Sequence, residues 1–477
     1  MNLYEDIIDI VDAPGSEESN WEEAELEEGI IQSATESVCP VCLQRIPANR
    51  VAYGEDVYLE KECPQHGFYR TVIWRGTPSF SSWVRPKLPA HPQNPFTNVE
   101  RGCPYDCGLC PDHRQQPCCV LLDVTQACDL GCPICFADAG KRNPENEPTL
   151  AEIETWYRSL LLAGGPFNIQ LSGGEPSLRD DLPEIIALGK SLGYSFFQLN
   201  TNGLRIATEI DFLQKLKEAG LCTVYLQFDG TKDEIYQTIR GKALFAEKQQ
   251  AIENCAKVGL GVILVPTLVP GVNIQNIGEI VRFGLQHSPT VRGVHFQPIS
   301  YFGRYPTAPR QEDRITLPEV ISAIADQSLG LIKKESFIPP GGENALCSFH
   351  ANFILMPNGE LKALTQHDSG CCCLPVEPAG EGARKSRLVT AQHWSAPKAE
   401  SPTINTRKIL GAWDDLLDRA TTYKFSVSGM VFQDAWNLDL ERVKDCYIMQ
   451  VSKDAKIIPF CAYNLTNAAG EPLYRGK

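Results

Sequence analysis

The sequence lacks several features that would assign its 477 residues to large classes of protein. It has no apolar run near the ~18 residues that a membrane-spanning helix needs, and its start lacks the basic and apolar segments of a secretory signal. Basic residues are in the minority, with 44 Lys and Arg against 59 Asp and Glu, whereas nucleic-acid-binding proteins usually present a basic surface. We therefore expect a cytoplasmic protein with no transmembrane segment and no nucleic-acid partner, and we leave contact with a membrane surface open.

Acidic residues are concentrated at the beginning of the chain. Between Met1 and Ile30 there are eleven Asp or Glu and no Lys or Arg. Such a segment repels itself and buries little apolar surface. We interpret residues 1–36 as a poorly ordered, acidic tail.

Cysteine is abundant, with nineteen residues in the chain. In a long chain without a secretion signal, clustered thiols bind metal more often than they form disulfides. Residues 37–119 contain two such groups and little that predicts a long helix, so we interpret this part as a metal-binding region whose folding depends on its metal. The first group is Cys39, Cys42 and Cys63 with His66, and the second is Cys103, Cys107, Cys110, Cys118 and Cys119.

Residues 120–334 alternate short apolar runs with amphipathic helical segments. Thr149 and Glu152 have the spacing of a capping box, and an apolar face at helical period follows them. Six strand–helix repeats predict parallel strands with right-handed crossovers, in an open sheet or a barrel. The predicted strands are 120–124, 167–171, 195–199, 223–228, 261–268 and 293–298, and further predicted helices are 182–192, 209–219, 243–258 and 274–285. Residues 335–477 are less regular, and we predict a surface loop at 375–406.

The loop after the first predicted strand carries Cys128, Cys132 and Cys135. Three thiolates at this spacing can bind three irons of one [4Fe–4S] cluster, which leaves the fourth iron open to another ligand. A zinc knuckle or a set of free thiols is the alternative, but zinc normally takes four ligands in paired spacing.

This loop resembles the signature of the radical S-adenosylmethionine (SAM) superfamily. The resemblance implies a partial (βα)6 barrel, a [4Fe–4S] cluster that binds SAM, and an electron donor such as ferredoxin or flavodoxin. It also implies that the cleaved SAM yields a 5′-deoxyadenosyl radical, which abstracts hydrogen from an unactivated C–H bond. The family has an aromatic residue just before the third cysteine, where this sequence has Ile134, with Phe136 following.

A second element supports the resemblance. Ser172, Gly173, Gly174 and Glu175 end the second strand, as does the family's Gly-Gly-Glu element, which meets the SAM amino group. Asn202 and Asp229 follow the third and fourth strands, where polar residues face the site in folds with parallel strands, so we predict them as pocket residues. No catalytic residue is assigned.

The other cysteine groups predict additional metal centres. Cys103, Cys107 and Cys110 repeat the spacing of the first loop, and Cys118 or Cys119 would complete an auxiliary [4Fe–4S] cluster, with zinc as the alternative. Cys39, Cys42 and Cys63 predict a mononuclear iron or zinc site, completed by His66 or by another cysteine. Cys347, Cys446 and Cys461 predict a third centre, to which one residue of the run Cys371–Cys373 would contribute.

The wider set of motifs is similar to the archaeal tetraether lipid synthase group, which is also described as methylating a pterin precursor. The motifs are Cys39–Cys42, Glu60–Gly67, Gly102–His113, Ala127–Ala139, Asn437–Cys446 and Ile458–Asn464. This resemblance implies carbon–carbon bond formation on lipid chains, and a lipid or other apolar small molecule as substrate. One alternative is a methyltransferase of a pterin-like molecule, and the other is a non-catalytic metal-binding scaffold. The run Cys371–Cys373 and the loop after it depart from the group, so the substrate remains open.

Overall fold

A computed structural model describes residues 29–140, 147–366, 376–397 and 419–476. These residues form a four-stranded sheet, a long mixed sheet and a pair of short strands. The strands are β1 Ile30–Val38, β2 Arg45–Tyr53, β3 Asp56–Cys63, β4 Gly67–Trp74, β5 Lys87–Leu88, β6 Cys119–Thr125, β7 Asn168–Gly173, β8 Phe197–Thr201, β9 Thr223–Gln227, β10 Gly261–Val265, β11 Thr267–Leu268, β12 Val291–Pro298, β13 Ser348–Leu355, β14 Leu361–Ala363, β15 Glu377–Pro378, β16 Lys424–Met430, β17 Ile448–Val451 and β18 Ile457–Pro459. The helices are α1 Leu150–Leu162, α2 Leu182–Ser191, α3 Leu204–Thr208, α4 Ile210–Ala219, α5 Asp233–Arg240, α6 Phe245–Val258, α7 Ile277–Gln286, α8 Leu317–Gln327, α9 Ala379–Trp394, α10 Leu440–Lys444 and α11 Phe460–Tyr463.

The N-terminal part is an antiparallel ribbon of β1 to β4. Alternate residues of β3, from Val57 to Cys63, are buried, as expected for a strand with one covered face. Strand β1 begins at Ile30, so the tail expected over residues 1–36 is wrong for 30–36, while residues 1–28 lie outside the described residues. The ribbon docks on the C-terminal part of the chain, because the Arg50 guanidinium donates to Asp439 at 2.6 and 2.8 Å.

The centre of the molecule is the predicted array of parallel strands. Strands β6, β7, β8, β9, β10 and β12 lie side by side in this order, and all pairs are parallel. The predicted capping box at the start of α1 is present, with Glu152 accepting from the backbone N–H of Thr149 at 2.7 Å. Because the carboxyl ends of parallel strands meet at one edge of the sheet, the loops after these strands form a common site.

The C-terminal region extends this sheet at both edges. Strand β16 pairs in parallel with β12, and β17 pairs in parallel with β6. Strands β13, β14 and β18 add antiparallel neighbours farther out. In the described residues the six predicted parallel strands are thus present, residues far along the chain add β16 and β17 at the two edges, and the short β11 also pairs in parallel with β12.

The predicted loop at 375–406 is wrong for 379–394, which form helix α9. Small residues allow this helix to lie against the body of the protein: a Cβ on Gly382 would come within 2.1 Å of the carbonyl oxygen of Gly341. The run Cys371–Cys373 and the end of the predicted loop lie outside the described residues. Within the described ranges, no helix is long and apolar enough to cross a membrane.

Candidate active site and metal centres

Cys128, Cys132 and Cys135 lie on the loop that follows β6 and line a cavity of about 510 Å³ at the carboxyl ends of the strands. Their side chains lie in one apolar cluster with Leu130 and Tyr236. Burial raises the pKa of the Cys128 thiol to about 12, and the nearby carboxylates of Glu175 and Asp129 contribute to the rise. Such thiols favour the thiolate only when a metal ion takes the place of the proton.

The two glycines of the Gly-Gly-Glu element are required by a close approach of two backbones. A Cβ on Gly173 would lie 2.0 Å from the carbonyl oxygen of Thr125, and one on Gly174 would lie 2.2 Å from that of Ala127. Gly173 also has φ = +125°, which side chains rarely adopt. The segment after β7 is therefore hydrogen-bonded directly onto the loop that bears the three cysteines, with the Glu175 N–H donating to Ala127 O at 2.7 Å.

Glu175 is a buried carboxylate in the cavity wall, with 1% of its surface exposed. Its Oε1 accepts from the hydroxyls of Ser177 and Thr201 at 2.5 and 2.7 Å, and its Oε2 accepts from the Asn202 backbone N–H at 2.6 Å. Burial raises its pKa, while these hydrogen bonds oppose that rise. The carboxylate is therefore held rigidly against the cavity, where it suits a ligand ammonium group.

Asn202 joins the strand ends to the cysteine loop. Its side-chain amide donates to Asp129 Oδ1 at 2.7 Å, and its own oxygen accepts from the Leu204 backbone N–H at 3.0 Å. Lys248 Nζ donates to the Asn202 carbonyl oxygen, and burial lowers the pKa of this lysine to about 8. The predicted position of Asn202 in the pocket agrees with its place in the cavity wall.

Asp229 lies behind the cavity rather than in its wall, which corrects the expected pocket position. Its carboxylate is fully buried and accepts from the Arg240 guanidinium at 2.7 and 2.8 Å. Arg240 is the residue that lines the cavity, next to the Cys132 thiol. Arg240 is not among the site residues predicted from the sequence. It ends α5, a short amphipathic helix that is not among the predicted helices.

The sequence departs from the family pattern at the third cysteine without losing an aromatic side chain at the cavity. Both Ile134 and Phe136 are among the lining residues. The Phe136 ring packs 5.7 Å from the ring of Phe460, in the C-terminal region. Phe136 thus supplies an aromatic surface two positions later than the family pattern has it, just after the third cysteine instead of just before it.

The far wall of the cavity is aromatic and rich in amides. The rings of Tyr225 and Trp394 stack at 5.7 Å with an interplanar angle of 26°. Gln198 Nε2 donates to Asn200 Oδ1 at 3.0 Å, which begins a row of amides across the strands. The other amide side chains in the wall are Asn168, Gln170, Gln297 and Asn352. This wall offers a flat apolar surface together with directional donors and acceptors.

The ribbon holds a compact group of four candidate ligands. The ligand atoms of Cys39, Cys42, Cys63 and His66 all lie within 4.8 Å of one another. The thiols of Cys39 and Cys63 lie 3.5 and 3.4 Å from His66 Nδ1. This spacing suits a single tetrahedral ion, and it makes His66, rather than a further cysteine, the fourth member.

Cys103, Cys107 and Cys110 also lie together. The thiols of Cys103 and Cys107 interact directly, and Cys110 lies close enough to Cys103 to perturb its own pKa. Cys118 does not join them, because it lies in the cavity wall beside Glu343 and Arg387. This placement corrects the expectation that Cys118 completes this ligand set, and Cys119 lines the same cavity.

The third predicted group assembles around a guanidinium. Cys446 lies near Cys347 and Cys461, and burial raises the pKa of all three thiols. Arg442 Nε donates to the Cys347 sulfur at 3.4 Å, a contact that would favour thiolate there. Three cysteines separated by up to 114 positions along the chain are thus brought together, as the sequence predicted for this group.

Comparison with known proteins agrees with this arrangement. The model of the radical SAM superfamily matches residues 122–284, and that of the HMPTM N-terminal zinc ribbon domain matches residues 31–75. The chain is 34% identical to the 7,8-dihydro-6-hydroxymethylpterin dimethyltransferase of Methanocaldococcus jannaschii, over 91% of this chain and 94% of that protein. This chain belongs to the radical SAM superfamily.

Other known proteins match a smaller part of the chain. The GTP 3′,8-cyclase of Chlorobaculum tepidum is 30% identical over 49% of this chain and 72% of its own length. The crystal structure of Streptococcus suis SuiB bound to the precursor peptide SuiA is similar at a TM-score of 0.34 and 18% identity, over 40% of this chain and 41% of that one. In sequence, this radical SAM enzyme thus matches the cyclase over about half of its length and the dimethyltransferase over nearly all of it.

Enzymes of this superfamily use a [4Fe–4S] cluster and SAM, and they take electrons from a reductant. The residues present fit both groups. Three thiols line one cavity, and the two glycines leave a cradle beside them that any Cβ would fill. When bound, the cluster and SAM supply one-electron cleavage of the sulfonium and hence radical chemistry at a substrate C–H bond.

Proposed function

We propose that this radical SAM enzyme methylates a pterin-like heterocycle. The observation that carries the proposal is the similarity to the dihydrohydroxymethylpterin dimethyltransferase, at 34% identity over 91% of the chain. The cavity wall supports the proposal in two ways. The stacked rings of Tyr225 and Trp394 offer an aromatic surface against which a flat heterocycle can pack. The row of amides offers hydrogen bonds to ring nitrogens and carbonyls.

In this proposal each group of residues in the cavity has a separate role. Cys128, Cys132 and Cys135 hold the cluster, and the loop from Ser172 to Glu175 holds the amino group of SAM. Asn202 ties that loop to the cysteine loop, and the Arg240 guanidinium places a positive charge beside them. The far wall binds the substrate and, since it is buried, excludes water that would quench a reactive species.

The ribbon and the two remaining cysteine groups complete the proposed metal inventory. A single zinc or iron ion fits Cys39, Cys42, Cys63 and His66. Auxiliary iron–sulfur clusters are proposed for Cys103, Cys107 and Cys110, and for Cys347, Cys446 and Cys461. Burial of these thiols favours metal ligation over free, ionised cysteine.

Carbon–carbon coupling of lipid chains is the second candidate. Apolar residues such as Leu121, Val265 and Phe302 also line the cavity and would accept an alkyl chain. Gln198 Oε1 in the far wall argues against this candidate, because it has no partner, an alkyl chain offers it no hydrogen bond, and a buried polar group without a partner costs about 1–3 kcal/mol.

The test is anaerobic incubation of the purified enzyme with SAM, a one-electron reductant and 6-hydroxymethyl-7,8-dihydropterin, read by mass spectrometry. We expect release of 5′-deoxyadenosine and a pterin that has gained methyl groups. A parallel incubation replaces the pterin with archaeal lipid extract. Coupled lipids together with unchanged pterin would overturn the proposal in favour of the second candidate.

Variants separate the enzyme from a non-catalytic scaffold. Cys128→Ala should abolish 5′-deoxyadenosine release, because the cluster then has only two protein thiolates. Cys222→Ala is the matched control, since its thiol lies against backbone carbonyl oxygens of Ser195 and Gly220, outside the cavity wall. Undiminished SAM cleavage by Cys128→Ala would contradict the assignment of this loop.

A further inference from the structure

Two buried acceptor oxygens of the cavity wall have no hydrogen-bond partner. Among the described residues that line the cavity, only Gln198 and Glu343 have a buried side-chain oxygen without a hydrogen-bond partner. The two atoms are Gln198 Oε1 and Glu343 Oε2. Gln198 is fully buried, and Glu343 is 3% exposed. Buried polar groups are normally paired, so two unpaired acceptors facing one cavity indicate a ligand that brings hydrogen-bond donors.

The Glu343 carboxyl group is fixed in place by its neighbours. Its Oε1 accepts from the Ser348 hydroxyl, and its backbone oxygen accepts from Lys87 Nζ. The next residue, Asn344, begins a short helix by accepting from the Leu346 backbone N–H at 3.1 Å. The Tyr447 hydroxyl also lies against this carboxyl group and lowers its pKa. The side chain is therefore preorganised, and its Oε2, which has no partner in hydrogen-bond geometry, can accept from a ligand together with a remaining lone pair on Oε1.

A basic side chain lies beside Glu343, since Lys87 Nζ donates to its backbone oxygen. Lys87 is near enough to lower its pKa, against the larger effect of burial, which raises it. Charge-assisted hydrogen bonds to a carboxylate are stronger than those between neutral groups. A ligand with two adjacent N–H groups matches the two oxygens, as a guanidinium does in a bidentate pair.

We propose that Glu343 recognises the ring N–H and the adjacent exocyclic amino group of a 2-aminopyrimidin-4-one ring, the ring that pterins contain. This inference rests on the proposed function and deepens it, since it assigns the residue that selects the substrate ring. Gln198 accepts a further N–H of the same ligand. A lipid chain has no N–H group and would leave both oxygens unpaired.

The test compares two ligands that differ only at the recognised position. Dissociation constants of 6-hydroxymethyl-7,8-dihydropterin and of its 2-oxo analogue, in which the amino group is a carbonyl, are measured anaerobically by calorimetry with the iron-loaded enzyme. We expect the wild type to prefer the pterin by about 10- to 100-fold, the range of a hydrogen bond to a charged group. In Glu343→Gln this preference should shrink to within about threefold, because one acceptor becomes a donor.

Control variants separate recognition from a general effect on folding. Glu381→Gln makes the same chemical change on α9, outside the cavity wall, in a carboxylate paired with Arg384, and should keep the wild-type preference. Iron content and the unfolding temperature are measured for every variant. If Glu343→Gln loses iron, the test uses Glu343→Asp instead. Its shorter carboxylate should weaken pterin binding but keep the preference for the ligand with the amino group.

Each outcome has one meaning. An unchanged preference in Glu343→Gln with normal iron content overturns the inference and leaves the proposed function intact, as does unchanged pterin affinity in Glu343→Asp. A wild-type enzyme that cleaves SAM but binds neither ligand overturns the proposed function, and the inference falls with it.

Discussion

Asp229 holds Arg240 through both carboxylate oxygens and thereby fixes a guanidinium beside the Cys132 thiol. Both side chains are buried, with 0% and 7% of their surfaces exposed. Removing one partner of a buried ion pair leaves the other charge uncompensated, which typically costs about 3–5 kcal/mol. The pair therefore determines both the stability of this part of the barrel and the charge at the cavity.

For Asp229→Asn we expect a lower unfolding temperature and a large loss of SAM cleavage, because Arg240 is no longer held beside the cysteine loop. Anaerobic thermal unfolding and 5′-deoxyadenosine release measure the two effects. Asp313→Asn is the control, since Asp313 pairs with Arg310 at the surface, where ion pairs contribute little. Wild-type stability and cleavage in Asp229→Asn would show that the pair is dispensable.

Gly173→Ala tests the close approach of the two loops. The new Cβ would overlap the Thr125 carbonyl oxygen at 2.0 Å, and the backbone at φ = +125° strains any side chain. We expect the loop to shift and SAM binding to weaken by about 5- to 150-fold, as strain of about 1–3 kcal/mol implies. Equilibrium dialysis with SAM measures the dissociation constant.

The control for this substitution is Gly140→Ala, at a glycine that also lies next to the cysteine loop. Its backbone oxygen accepts from the Cys128 N–H at 2.9 Å, but a Cβ there would meet no atom within 4 Å. Gly140→Ala should bind SAM as the wild type does. Equal affinities of all three proteins would refute the steric argument.

His66→Ala tests the single-ion site of the ribbon. Loss of the fourth ligand should release one metal ion per chain and lower the unfolding temperature of the ribbon, because the metal supplies part of its folding free energy. Elemental analysis by mass spectrometry and limited proteolysis measure the two effects. His91→Ala, at an exposed histidine whose ring contacts only backbone oxygens of Pro111 and His113, should keep the ion.

Cys461→Ser tests the C-terminal centre. The proposed cluster should be lost, so iron and sulfide per chain should fall by the content of one cluster while the ribbon ion remains. Cys222→Ser is the matched control, because its thiol contacts only backbone oxygens. Iron and sulfide contents equal to those of the wild type would exclude Cys461 as a ligand.

Stability should depend on pH through His295. Burial lowers its pKa to about 4 from 6.5, so the folded protein keeps this side chain neutral where the unfolded chain binds a proton. The free energy of unfolding should therefore be unaffected above pH 6.5 and fall as the pH drops from 6.5 towards 4, by up to about 3 kcal/mol for this residue.

Anaerobic urea unfolding of the wild type and of His295→Gln, at pH 7 and at pH 5, measures this contribution. The neighbours of the ring are the Ser428 hydroxyl at 2.8 Å and the rings of Tyr225 and Trp394, none of which carries a charge in this range. The variant should lose less stability on acidification than the wild type. Identical pH dependence would show that the neutral imidazole is not a stability determinant.

The features that could be predicted from the sequence are local ones. The six parallel strands and the capping box at Thr149 follow from apolar periodicity and short-range spacing. The cysteine loop and the Gly-Gly-Glu element lie on adjacent strands, so their meeting follows from the strand order. Each of these signals is contained within a few tens of residues.

The features that could not be predicted depend on contacts between distant parts of the chain. Strands β16 and β17 complete the sheet on either side, and no periodic pattern in them identifies β12 and β6 as partners. Cys118 is close to Cys110 in sequence, yet pairing of the following strand β6 directs it into the cavity wall. Arg240 is recognisable only once Asp229 is known to face it.

The docking of the ribbon on the C-terminal region has a consequence for how the protein is made. Arg50 reaches Asp439 across 389 positions, so its partner leaves the ribosome long after it does. A domain that emerges first generally folds first. The strands of the ribbon can therefore pair with one another well before the segment on which the ribbon docks has been made, and the docking contact forms afterwards.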